Sequence, residues 1–100
     1  MSNANAHIGD RPAFAPPGQF SFLRIPVVLK RRGVSRSAHY ADIKAGLYPK
    51  PVPIGLRAVA HPDYEVDALN AATIASKSPD EIRALVVKLH AARGAALAGL

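Results

Sequence analysis

One hundred residues with six aromatics, and a hydrophobic share of 49% inflated by alanine, suffice for one small domain with tails rather than two cores. The lack of cysteine excludes a disulfide framework and thiolate metal sites and fits a reducing cytoplasm. No stretch approaches the roughly 18 apolar residues of a membrane span, and no basic start leads into a signal-like apolar run. The formal net charge of +6 is segregated: Phe20–Ala60 carries eight Lys/Arg against Asp42 alone, while the remainder has five basic and six acidic residues.

Residues 1–19 are small, polar and proline-containing and read as a disordered arm. Phe20, Phe22 and Ile25 suit a short extended segment packed on the core. Pro26 opens a first helix, where its missing N–H costs nothing, and Gly33 ends it after Lys30-Arg31-Arg32. Ser35 is an N-cap for a second helix that Gly46 closes. The Gly33-Val34-Ser35 connection has the spacing of a helix-turn-helix.

Pro49, Pro51 and Pro53 forbid helix and favour extended edges. Strands near Val52-Pro53-Ile54 and Arg57-Ala58-Val59, either side of Gly55, predict a hairpin. Pro62 opens a third helix whose first turns carry Asp63, Glu65 and Asp67, placed to suit the positive end of the helix dipole. Ser78-Pro79-Asp80-Glu81 starts a fourth, with serine as cap and glutamate three residues on. Ile82, Leu85, Val86 and Leu89 then form one apolar face, and fraying is expected after about Arg93. The expected organisation is an arm (1–19), a helix-turn-helix and hairpin domain (20–76), a C-terminal helix (77–94) for packing or dimerisation and a frayed tail (95–100). A folded core of roughly 60 residues buries only about 60% of its unfolded surface, so a partner or dimer is expected to help it.

Positive charge focused on a helix-turn-helix-like unit implies a polyanion partner, most simply DNA. The order and spacing of Phe22-Leu23-Arg24-Ile25-Pro26, Val28-Leu29, Gly33-Val34-Ser35-Arg36-Ser37 and Tyr40 resemble the AlpA-type phage and prophage regulators. The likeness continues through Ile43-Lys44, Gly46, Pro49-Lys50-Pro51-Val52, Gly55, Arg57-Ala58-Val59 and Glu65-Val66-Asp67-Ala68, covering roughly residues 20–75. It implies a mainly α fold with a small β-hairpin wing, a winged helix-turn-helix related to excisionase and MerR-like modules, here followed by an amphipathic C-terminal helix. It implies duplex DNA as partner and transcription regulation as function.

By position, the resemblance places Ser35, Arg36, Ser37, Tyr40 and Lys44 on the exposed face of the recognition helix, and Lys50 and Arg57 on the wing. His39 and Asp42 stand at positions the family usually fills with apolar side chains, Ala41 where a base is common, and His61 where tryptophan is usual. Either the recognition helix shifts, or His39 and Asp42 pair at i, i+3.

Recognition helices place their N-terminal residues against base edges, so Arg36 is the candidate for a bidentate guanine contact; the plainer reading is a solvated arginine. Ser35 and Ser37 suit a phosphate at the helix start. Lys44, Lys50 and Arg57 suit backbone contacts, and Tyr40 either contacts a phosphate or packs. The Lys30–Arg32 trio either tracks phosphates or is a solvated helix end stabilising the dipole, and the second reading is favoured because the first helix usually stands back from the groove. His7, His39, His61 and His90 lack metal-ligand spacing, and no nucleophile–base constellation or phosphate loop is present.

The sequence therefore predicts a non-enzymatic, cytoplasmic regulator without cofactor, metal, membrane or small-molecule substrate. One rival is an excisionase-like protein that bends DNA. The other is a protein-interaction adaptor docking through the C-terminal helix, whose apolar stripe either covers the domain or pairs with a second copy in a homodimer.

Overall fold

The computed structural model describes residues 18–98, with side chains through residue 95; the predicted arm, apart from its last two residues, lies outside the described residues. Strand β1 (Phe22–Arg24) leads directly into α1 (Ile25–Arg32), and a three-residue turn connects α1 to α2 (Arg36–Lys44). Then follow β2 (Val52–Pro53), β3 (Val59–Pro62), α3 (Asp63–Ile74) and α4 (Pro79–Ala98).

The helix boundaries follow from local chemistry. Proline stands in the first turn of α1, and Gly33 closes the helix at φ 71°, its N–H donating to the Leu29 carbonyl at 2.8 Å. The Ser35 hydroxyl caps α2 by accepting the Ala38 N–H at 3.1 Å. At the start of α4 the Ser78 N–H donates to Glu81 Oε1 at 2.9 Å, while the Glu81 N–H donates to Ser78 Oγ at 3.2 Å, a reciprocal capping box.

The sheet departs from a simple hairpin. It has three antiparallel strands in the order β1-β3-β2, with Leu23 opposite His61 and Val52 opposite Ala60. Phe22–Arg24 is a full strand because β3 offers it a second ladder. Asp63 extends that pairing: its N–H donates to the Ser21 carbonyl at 2.9 Å and its carboxylate accepts the Ser21 N–H at 3.1 Å. Arg57 and Ala58 fall in the connecting turn, closed by the Ile54 N–H on the Ala58 carbonyl at 2.9 Å, so the second wing strand begins only at Val59. Prolines in and beside the short edge strand β2 limit its ability to template further strands.

The core gathers Val28 from α1, Tyr48, Val66 and Leu69 from α3, and Val86 and Leu89 from α4, with Leu23, Ile43, Ile82 and Leu85 packed against them. The C-terminal apolar stripe is thus spent on covering the domain. Full burial of a side chain such as Leu89 contributes about 1.5–3 kcal/mol. The backbone of α4 continues through Gly94 to Ala98, beyond where glycine was expected to fray it. One glycine costs only about 1 kcal/mol against alanine, and the alanines around it are the best helix formers.

Candidate nucleic-acid interface

The exposed side of α2 carries Arg36, Ser37, Tyr40 and Lys44, with Ser35 capping it at the same end. All five candidates therefore share one helix and its N-terminal approach. Tyr40 is 39% exposed, and its ring meets His39 edge-on at 5.4 Å, so it is anchored without being buried. Lys50 and Arg57 are both exposed but are not brought together: the lysine stands at the base of the wing and the arginine in its turn.

The buried side of α2 is held by a polar chain. Arg32, at the end of α1, donates from Nη2 to Asp42 Oδ2 at 2.7 Å, and its Nη1 lies 2.8 Å from His39 Nδ1. His39 Nε2 is in turn 3.1 Å from Nε2 of His61 on β3. A guanidinium only donates, so His39 Nδ1 must accept. Its proton then sits on Nε2 and is donated to His61 Nε2, which leaves the His61 proton on Nδ1. That Nδ1 and the Tyr48 hydroxyl are buried without a partner among the described residues.

Tyr48 closes the assembly. The Arg32 guanidinium lies 4.1 Å above its ring, and the ring meets His39 at 4.9 Å and His61 at 5.1 Å. Burial lowers the pKa of both histidines, helped by Arg32 at His39 and by His39 at His61, which falls to about 4. Burial likewise pushes the Tyr48 hydroxyl up to about 12.

These contacts correct three sequence readings. His39 and Asp42 do not bond each other; both bind Arg32. Arg32 is therefore an internal strut, its side chain only 14% exposed, and not a solvated helix end. Arg31 pairs with Asp67 at 3.6 Å, which leaves Lys30 as the solvated member of the trio. Glu65 is completely buried against Arg93, so it does more than complement the α3 dipole.

Two features of this face were not singled out from sequence. Arg24 is exposed and lies across the sheet from Ala60, which Val52 flanks on the other side, so it adds a cation near the wing. Leu56, at the tip of the wing, is 98% exposed. The position of Gly55 at the turn was a signal for the second; nothing in the local pattern marked the first.

A helix-turn-helix beside a small three-stranded antiparallel sheet, with no acid on the exposed face of its second helix, is the architecture of DNA-binding regulators. Residues 21–69 match the model of the prophage CP4-57 regulatory protein (AlpA) family, a family of phage-type regulators that bind DNA. No curated protein and no solved structure matches the chain. Among the described residues no helix is long and apolar enough to cross a membrane, and no three His, Asp or Glu side chains converge to hold a metal.

Proposed function

We propose that the chain is a sequence-specific transcriptional regulator of phage type that reads duplex DNA with α2 in the major groove. Arg36 contacts a guanine edge, while Ser35 and Ser37 meet a phosphate. The Ser35 hydroxyl accepts the Ala38 N–H yet keeps its own proton to donate, and the first-turn N–H groups of Arg36 and Ser37 have no intrahelical carbonyl to meet. Tyr40, Lys44, Lys50 and Arg57 bind the backbone. The unit that does this is residues 20–76, with α4 completing its core, and it acts in the cytoplasm without a cofactor or small-molecule substrate.

The observation that carries this reading is the division of α2 into two faces: every polar group on the inner face has a partner inside the domain, while the outer face presents Arg36 and Lys44 to solvent. Selection of bound duplexes from a random library tests it. An enriched motif is expected, and Arg36→Ala should relax preference at one position at a cost of about 1–3 kcal/mol. Unchanged base preference in that variant would remove α2 as the reader. Two-fold symmetry in the motif would indicate a homodimer.

A second reading, DNA bending of the excisionase kind, gains support from Leu56. An aliphatic side chain fully exposed on a basic wing suits a wedge in the minor groove. Leu56→Ala should then reduce the bend measured by end-to-end energy transfer on a labelled duplex; an unchanged bend rejects the wedge. The adaptor reading loses Val86 and Leu89 as contacts, because both are buried in the core.

A further inference from the structure

Both backbone polar groups of Lys50 are held by side chains from a single turn of α4. Its N–H donates to His90 Nε2 at 3.0 Å, and its carbonyl accepts from Arg93 Nη2 at 2.7 Å. Arg93 is itself fixed in direction. Its Nε and Nη2 donate to Oε2 and Oε1 of Glu65 at 2.8 and 2.6 Å, and that carboxylate is wholly buried. A bidentate fork leaves the guanidinium little rotational freedom, so the remaining Nη2 proton is aimed at Lys50.

The local sequence explains why an outside hold is needed. Pro49 and Pro51 have no N–H, so Lys50 supplies the one backbone donor of this three-residue segment. Pro49 is buried and Lys50 exposed, and β2 begins one residue after Pro51. The segment is where the chain leaves the recognition helix and enters the wing. The family match ends at residue 69, so the residues that grip this point lie on a helix beyond the matched segment.

We propose that His90 and Arg93 are positioning residues for DNA binding: by holding the Lys50 backbone they set where Lys50 and the wing meet the phosphates beside the bases that α2 reads. The proposal rests on the duplex-DNA reading above. It makes α4 part of the DNA-binding device and not only a cover for its core.

The test uses the full chain and a duplex selected from the random library, with affinity followed across a salt titration. Arg93→Ala is unsuitable, because it strands the buried Glu65. His90→Leu removes the acceptor for the Lys50 N–H, whereas His90→Gln can restore one; Lys50→Ala is the reference for loss of the lysine itself. His90→Leu is expected to bind about three- to tenfold more weakly, since the segment must then be ordered on binding. Its slope of log affinity against log salt should fall by up to about 0.9, toward that of Lys50→Ala. The base motif should stay unchanged, and His90→Gln should recover much of the loss. A folded His90→Leu with wild-type affinity and slope overturns the proposal.

Hydrogen exchange of the Lys50 amide in the unsubstituted chain gives a check that no variant's folding affects. Protection is expected, and exchange at the rate of an open amide overturns the hold. If the unsubstituted chain retains no duplex at any salt, the duplex-DNA reading itself fails. A duplex-binding chain with an indifferent His90 defeats this inference alone.

Discussion

The two halves of this small core are held together by different physics. Inside the core α4 packs by aliphatic contacts, Val86 and Leu89 burying against Val66 and Leu69, with the Arg93–Glu65 pair as its one buried polar anchor among the described residues. Beneath α2 they are polar and directional, running from Asp42 through Arg32 and His39 to His61. Aliphatic contacts depend on volume and barely on orientation, so that half can adjust. The polar chain tolerates one proton arrangement, and it joins α1, α2 and β3, the elements that present the interface. Orientation of α2 is thus entrusted to hydrogen bonds, and most of the cohesion to hydrophobic burial.

The largest expected effect comes from uncovering a buried charge. Arg93→Ala leaves the Glu65 carboxylate without its partner, and a loss of about 3–5 kcal/mol is expected in urea or thermal unfolding. A loss below about 1 kcal/mol would mean that water reaches Glu65 and that the pair is not internal.

Acid should act on the polar half next. Both buried histidines have folded pKa values below their ordinary 6.5, that of His61 at about 4. Between these values the unfolded chain binds more protons than the folded one. The stabilisation is therefore present above pH 6.5 and is lost as pH falls through about 4. For His61 alone the loss approaches about 3 kcal/mol. His61→Phe should flatten the pH dependence of stability over that range. A pH profile identical to that of the unsubstituted chain would separate the histidines from acid sensitivity.

The aliphatic half should show the smallest effect for a volume-conserving change. Leu89→Met is expected to cost less than about 1.5 kcal/mol and to leave the pH dependence untouched. A larger loss would show that the two halves are equally particular about shape, and the contrast between them would fall.

Reading the chain alone placed the features that act over a few residues. The Ser35 cap, the Gly33 and Gly46 turns at φ 71° and 78°, and the Ser78–Glu81 box each depend on neighbours within one helical turn. The i, i+3, i+4 spacing likewise marked the buried face of α4. The segregation of charge, being a count along the chain, identified the basic region.

The tertiary structure alone decided the long-range partners of the polar residues. His39 meets His61 across 22 positions, Glu65 meets Arg93 across 28, and the Lys50 amide meets His90 across 40. The pairing of β1 with β3 belongs to the same class, since either edge of β3 is a chemically similar acceptor. A histidine, an arginine or a glutamate satisfies its hydrogen bonds equally well with water or with several partners, so residue type does not name the partner. Only packing, by excluding water, makes one arrangement the least costly. The sequence by itself therefore determined the helices, most of their ends and the family model that residues 21–69 match. Folding decided that Arg32 supports α2 and that α4 holds the Lys50 backbone.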